Sequence, residues 1–303
     1  MAITAQMIKD LREKTGVGMS VCKEVLLEAD GNIEKAQELL RKKGLASAQK
    51  KSGRSATEGL ICIELSDDKK TAAIVEVNSE TDFVAKNNIF ASYVKDVAKQ
   101  VLNSDKSNIE EFLNEKWQNG NLSVKEELTQ KIAVIGENLV IRRFNKIKTD
   151  GCLISYIHGG GKIGVLLDLS CDFDENISEL GKNVCMQIAA MNPKFISRDD
   201  VDQSFINKEK EILMQQALNE GKPQNIAEKM VNGRLNKELK EFCLLEQEYV
   251  KDNELSVGKY IDKVARDLGI EIKVKKFVRF AVGEGLEKKQ ENFADEVSKA
   301  MKG

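Results

Sequence analysis

The sequence predicts an α+β protein, and three observations lead to that fold class. The order strand-strand-helix-helix-strand occurs twice, and each copy opens with two strand-like segments that form a hairpin. Before these copies, short segments with apolar residues at helical spacing end at glycine. Proline is scarce, with 2 in 303 residues, which suits a helix-rich chain. Hairpins combined with separate helices favour antiparallel sheets over a doubly wound parallel sheet.

The first 44 residues predict a bundle of three short helices. Thr4 is suited to cap the first helix and Asn32 the third. So small a bundle has little interior for a catalytic cleft, so we expect it to present a surface. The bundle also resembles ubiquitin-associated domains. Glycine residues, which end helices in the left-handed conformation, follow the three segments: Gly16, Gly31 and Gly44.

The two α+β copies are predicted from hairpins followed by helical periodicity. The segments of the first copy are 59–65, 72–78, 89–102 and 136–148. The segments of the second copy are 151–157, 163–169, 177–191 and 269–285. Because the order of elements is the same, we expect two related subdomains with antiparallel sheets.

Three further segments complete the predicted organisation. Residues 46–57 are small, polar and basic, which predicts an exposed linker. Two charged helical segments, 199–221 and 224–250, predict a helical hairpin inserted in the second copy. The tail carries Phe293, Val297 and Met301 on one stripe of a short C-terminal helix. The predicted domains are 1–54 (bundle and linker), 55–149 (first core subdomain), 150–284 (second, with the hairpin at about 195–250) and 285–303 (C-terminal helical module).

Composition excludes several classes of function. The formal net charge of -2 argues against nucleic acid as the main ligand, because phosphate binding needs a basic excess. One histidine and no C-x-x-C pair make a zinc site improbable, and we expect no metal or cofactor. No signal peptide or membrane span is predicted, so we expect a cytoplasmic protein with neutral thiols. The cysteines are Cys22, Cys62, Cys152, Cys171, Cys185 and Cys243.

No catalytic residue emerges from the motifs. Gly159, Gly161 and Gly164 match G-x-G-x-x-G, but a strand follows them where a dinucleotide site requires a helix. A hairpin loop explains these glycines better. His158 borders that loop without a recognisable catalytic partner, so a surface contact or a loop-stabilising hydrogen bond is the expected role.

The segment NSETDFVAKN, 78–87, supports two interpretations. In the first, Thr81 or Asp82 caps a helix and Phe83 folds inward as a hydrophobic staple. In the second, Phe83 is an exposed wedge beside an acid and enters a partner's pocket. Both can coexist if the cap holds the turn that presents the aromatic ring.

The chain resembles the bacterial elongation factor Ts family in several motifs that follow one another in order. They lie at 4–19, 77–87, 135–144 (IGENLVIRRF), 155–166 (SYIHGGGKIGVL), 221–234 and 279–288. The resemblance implies a guanine-nucleotide exchange factor that binds GDP-loaded elongation factor Tu, disturbs its Mg²⁺ site and promotes GDP release. GTP then binds.

The same resemblance implies the site residues. The family motif that disturbs the magnesium site falls on Thr81, Asp82, Phe83 and Val84. Further partner contacts implied are Ile135, Gly136, His158 and Met19. We expect no direct contact with nucleic acid or membrane, and self-association through the helical hairpin is left open. An enzyme and a ubiquitin-binding scaffold are the competing hypotheses; an assay of GDP release from elongation factor Tu separates all three.

Overall fold

The computed structural model describes residues 3–287, so the C-terminal helix expected around Phe293, Val297 and Met301 lies outside the described residues. Within residues 3–287, α-helices and small sheets occur together, and the predicted α+β class is confirmed. The helices are α1 (Ala5–Thr15), α2 (Met19–Glu28), α3 (Ile33–Lys51), α4 (Asp82–Ala85), α5 (Asn88–Asn103), α6 (Ile109–Leu113), α7 (Val124–Ile135), α8 (Glu175–Met191), α9 (Gln203–Asn219), α10 (Gln224–Phe242) and α11 (Val257–Leu268). The strands are β1 (Glu58–Leu65), β2 (Thr71–Ser79), β3 (Val140–Lys148), β4 (Cys152–His158), β5 (Ile163–Leu169), β6 (Glu248–Tyr249), β7 (Asp252–Ser256) and β8 (Val274–Ala281).

The strands form three sheets in the described chain, ordered β1-β2-β3, β4-β5-β8 and β6-β7. In the first two sheets a hairpin is followed by a later strand that pairs beside the second hairpin strand. The β4–β5 pair is antiparallel, with Cys152 opposite Leu169 and His158 opposite Ile163. The expected hairpins are therefore confirmed. The third strands begin later than expected, because Gly136 and Gly269 cap helices α7 and α11.

The described chain divides into two compact units. The first contains residues 3–64, 75–146 and 281–287, and the second contains residues 65–74 and 147–280. No helix among residues 3–287 is long and apolar enough to cross a membrane.

The N-terminal bundle differs from expectation at Gly44. Thr4 and Asn32 cap α1 and α3 as predicted, and Gly16 ends α1 in the left-handed conformation. Helix α3, however, continues through Gly44 to Lys51, so the predicted helix end and the start of the predicted linker are wrong. An added Cβ at Gly44 would lie 3.4 Å from Cβ of Ala133 in α7, so glycine here allows close helix packing.

Helix α5 contributes much of the buried core of the first unit. Its buried face repeats at helical spacing, which reflects the periodicity in the sequence. Phe90 and Tyr93 are among the largest fully buried side chains of the described chain. Ile89, predicted on the same apolar face, is 50% exposed.

Helix α8 forms the core of the second unit with β4 and β5. Ile177, Leu180, Val184 and Ile188 are fully buried at a spacing of three or four residues. They pack in one cluster with strand residues such as Leu167. The alternation expected for a strand is absent in β5, since nearly all of it is buried.

The inserted hairpin is formed by α9 and α10. Leu213 packs against Val231, Leu235 and Leu239, which make a small separate core. Ile226, near the start of α10, is 46% exposed. The expectation of a helical hairpin is confirmed, but its second helix was predicted too long, since α10 ends at Phe242 and Glu248–Tyr249 form β6.

Candidate functional site

The turn that follows β2 presents Phe83 to solvent. Helix α4 is only four residues long, and Thr81 caps it by accepting a hydrogen bond from the Val84 N–H at 3.4 Å. Phe83 is 80% exposed, whereas Ala85 is buried. The capping interpretation is confirmed for Thr81, and the inward staple is wrong for Phe83. The segment thus combines the cap of the first interpretation with the exposed ring of the second, and entry of Phe83 into a partner's pocket stays a prediction.

A carboxylate from another segment holds Thr81 in place. Glu137 accepts the Thr81 N–H at 3.0 Å with Oε2 and the Thr81 hydroxyl at 2.6 Å with Oε1. The Ser79 hydroxyl donates to the Thr81 carbonyl at 3.0 Å. The backbone N–H, carbonyl and hydroxyl of Thr81 are therefore all hydrogen-bonded before α4 begins.

A second carboxylate makes the reciprocal contact. Glu80 accepts the backbone N–H of Asn138 at 2.6 Å, and its side chain is 19% exposed. Asn138 is buried, and its amide donates to the Arg54 carbonyl at 2.8 Å. We call the pair of contacts Glu137–Thr81 and Glu80–Asn138 the carboxylate clasp. It joins the segment before Phe83 to the segment after α7.

The clasp brings two groups of predicted residues together. Ile135 is the last residue of α7, and Gly136 is its left-handed cap with φ of 89°. Gly136 is exposed and Ile135 is half-buried. Both directly precede the clasp residue Glu137, so the predicted contacts at 81–84 and 135–136 belong to one corner of the first unit.

Charge at this corner is arranged beside the aromatic ring. The Asp82 carboxylate is 47% exposed and lies 2.7 Å from Lys86 Nζ in an i,i+4 ion pair. Such exposed pairs contribute little to stability because water screens them.

Strand β2, which leads to this turn, carries a buried carboxylate. Glu76 is fully buried and lies 3.0 Å from Arg142 Nη1 and 2.5 Å from Arg143 Nε. The backbone N–H of Gly283 donates to Glu76 at 2.8 Å, and the Asn78 amide donates at 3.1 Å. Burial raises the pKa of Glu76, but the hydrogen bonds from Gly283, Arg143 and Asn78 outweigh it and hold the pKa below the usual value.

The other predicted contacts lie elsewhere. Met19 is the first residue of α2 and is 50% exposed. The bundle exposes further large apolar side chains, including Leu27 at 57% and Leu45 at 53%. His158 ends β4 in the second unit, where the Tyr156 hydroxyl lies 2.9 Å from its Nδ1. His158 thus makes a side-chain hydrogen bond with a neighbour on its own strand, and its role in stabilising the loop stays a prediction.

The sequence interpretation missed the clasp residues Glu80, Glu137 and Asn138. Two motifs named for the family resemblance, at 77–87 and 135–144, contain all three, but no local pattern indicates that the motifs touch. Ile89 was also missed as an exposed apolar residue near Phe83 in the chain.

Four cysteine thiols in residues 3–287 are held in the neutral form. Burial raises the pKa of Cys62 and of Cys243 to about 11, and burial together with Cys171 raises that of Cys152 to about 12. Burial also raises the pKa of Cys185. The expectation of neutral thiols is confirmed for these four, and thiols are weak nucleophiles in that form. No group of three or more His, Cys, Asp or Glu side chains in residues 3–287 is arranged to hold a metal ion.

Comparison with known proteins agrees with these motifs. A family model described as Elongation factor TS matches residues 80–284. The chain is 56% identical over 301 residues to Elongation factor Ts of Clostridioides difficile (strain 630), with 99% of each chain covered. It is 53% identical to Elongation factor Ts of Clostridium botulinum (strain Alaska E43 / Type E3), with 99% of each chain covered, and 52% identical to that of Clostridium perfringens (strain SM101 / Type A), with 98% covered. A match of this extent, together with the motifs at the clasped corner, shows that the chain belongs to the elongation factor Ts family and has a role in translation elongation.

Proposed function

We propose that the protein is a guanine-nucleotide exchange factor for elongation factor Tu and performs no covalent chemistry. It binds the GDP-loaded partner in the cytoplasm, disturbs its Mg²⁺ site and promotes GDP release, so that GTP can bind. The resemblance of the motifs and the family membership support this assignment. The residues that would act on the partner's magnesium site are Thr81, Asp82, Phe83 and Val84.

One observation carries the proposal: Phe83 is 80% exposed on a turn that is hydrogen-bonded from behind. Burying an aromatic side chain contributes about 1.5–3 kcal/mol, so leaving Phe83 in water forgoes stability. Aromatic residues that are exposed in the free protein and fill a pocket in the complex are typical binding hot spots. The ring therefore fits the role of a wedge that enters the partner.

The thermodynamics of exchange explain why a wedge is useful. GDP is held on such partners by phosphate contacts and a bridging Mg²⁺. A factor that binds the nucleotide-free partner more tightly than the GDP-loaded partner must lower the partner's affinity for GDP by the same ratio, because coupling between two binding sites is reciprocal. Phe83 would occupy space near the metal, and the half-exposed Asp82 carboxylate would compete for hydrogen bonds there.

The remaining surfaces supply binding free energy for that displacement. We assign partner contacts to Ile135, Gly136, His158 and Met19. The bundle, which resembles a ubiquitin-associated domain, contacts the nucleotide-binding domain of the partner through its exposed apolar residues. The two α+β regions, 55–149 and 150–284, act as related subdomains, and the second contacts a different domain.

Release of a fluorescent GDP analogue from purified elongation factor Tu tests the proposal. We expect catalytic amounts of this protein to accelerate release in the presence of Mg²⁺. If the protein acts through the metal, prior chelation of Mg²⁺ should bring the accelerated and spontaneous rates closer together. Absence of acceleration contradicts the exchange function. Equal acceleration with and without chelator contradicts the magnesium mechanism alone.

A further inference from the structure

We infer that Glu137 is a positioning residue for nucleotide exchange, which acts by fixing the turn that carries Phe83. The inference rests on the proposed function and adds a residue to it. Glu137 itself is half-buried and belongs to the segment after α7, 56 residues from Thr81 in the chain. Its role is to hold the partner-facing residues in one geometry.

The need for such support follows from the length of α4. A helix of four residues cannot form by itself, because nucleation fixes several residues for each hydrogen bond gained. Its N-cap is the Thr81 hydroxyl, which accepts the Val84 N–H at 3.4 Å, a long hydrogen bond. The cap therefore depends on how firmly Thr81 is held.

Glu137 holds Thr81 with both carboxylate oxygens. One oxygen accepts a hydrogen bond from the Thr81 hydroxyl at 2.6 Å, and the other accepts one from the Thr81 backbone N–H at 3.0 Å. Because the hydroxyl hydrogen points to Glu137, a lone pair of the hydroxyl oxygen is turned towards the Val84 N–H. Hydrogen bonds to a charged acceptor are about twice as strong as neutral ones. The carboxylate thus sets both the backbone and the rotamer of the capping residue.

The second half of the clasp fixes Glu137 in return. Glu80 accepts the Asn138 N–H at 2.6 Å, and the buried Asn138 amide is bound to Arg54. Each segment contributes an acid to the backbone of the other, so neither can shift alone. A preorganised turn loses less conformational entropy when its aromatic side chain enters a partner, which favours the bound geometry.

The inference predicts a loss of exchange rate with the protein still bound. Glu137→Ala should slow GDP release at saturating exchange factor by about tenfold, since two charge-assisted hydrogen bonds are lost. The release rate with Glu137→Gln should lie between those of Glu137→Ala and the wild type, because one carboxylate oxygen becomes an NH₂ group that cannot accept a hydrogen bond. The concentration for half-maximal acceleration should change less than the maximal rate. Glu110→Gln is the matched control, since Glu110 is exposed on α6 and its side chain takes no part in the clasp.

A double variant separates positioning from general stability. If Glu137 acts through Phe83, Glu137→Ala should have little further effect in a Phe83→Ala background, whereas independent effects would multiply. Thermal unfolding of each variant checks that the fold is kept. Full activity of folded Glu137→Ala, or multiplicative effects in the double variant, would overturn the inference. If the wild type itself fails to accelerate GDP release, the proposed function fails instead.

Discussion

The turn at 79–86 and the hairpin tip at 158–162 both carry proposed contacts, but the chain supports them in different ways. At the turn, carboxylates from two segments bind backbone and side-chain donors behind Phe83. At the tip, Gly159, Gly160 and Gly161 all have positive φ, and the Tyr156 hydroxyl lies 2.9 Å from Nδ1 of His158. The hydrogen bonds at the turn fix the position of an aromatic side chain that is proposed to enter a pocket. The glycines at the hairpin tip leave its backbone more conformational freedom, which suits a peripheral polar contact.

The largest expected effect concerns the support beneath the turn. Glu76→Ala leaves the Arg142 and Arg143 guanidinium groups without their buried carboxylate, and we expect a loss of about 3–5 kcal/mol in the free energy of unfolding. Urea denaturation measures it. A loss below about 1 kcal/mol, close to that of a surface substitution, would show that the sheet under the turn does not depend on this network.

The next effect tests the turn directly. Phe83→Ala should slow GDP release by about thirtyfold at saturating concentration, which corresponds to about 2 kcal/mol in the barrier to release. Affinity for nucleotide-free elongation factor Tu should fall only modestly. Ile89→Ala is the control, since Ile89 is 50% exposed and lies outside the clasp. Equal losses from both variants would remove the special role of the turn.

The contribution of the Glu76 network to stability should also depend on pH. The pKa of Glu76 is lowered in the folded protein, so its stabilising contribution is present above the unfolded value of 4.5 and is lost as pH falls through the folded pKa. We expect the free energy of unfolding to fall with pH below about 4.5, and to fall less steeply in Glu76→Gln. Identical slopes for the two proteins, measured by denaturation between pH 3 and 6, would contradict this assignment.

The smallest effect belongs to the hairpin tip. His158→Ala should change the rate of GDP release by about twofold at most, because an exposed hydrogen bond contributes within about 0.5 kcal/mol. Tyr156→Phe, which removes only the hydroxyl, should behave alike. A tenfold loss in either variant would mean that the tip is fixed as firmly as the turn, and the contrast between the two regions would disappear.

Features that depend on residues close together in the chain could be predicted from the sequence. The caps Thr4, Asn32 and Thr81 were predictable because a side-chain oxygen reaches a backbone N–H three residues on. The hairpins were predictable from strand-like segments on each side of turn residues. The α+β class followed from the order of those segments.

Features that depend on distant residues were missed or misjudged. Gly44 has the expected identity for a helix end, but packing against Ala133 overrides that preference. The exposure of Phe83 was undecided, since spacing cannot say whether a ring after a cap turns inward. Glu137 was invisible as the partner of Thr81, because a contact across 56 residues leaves no periodic signal.

The uninterrupted course of α3 has a mechanical consequence. A helix of 19 residues is a stiff rod about 28 Å long, so the bundle is joined to the rest of its unit without a hinge between Ile33 and Lys51. Helix α7, which touches this rod at Ala133, ends at Ile135 beside the clasp. A force applied at the proposed Met19 contact would therefore be transmitted through α3 to α7, whereas a flexible linker would not transmit it.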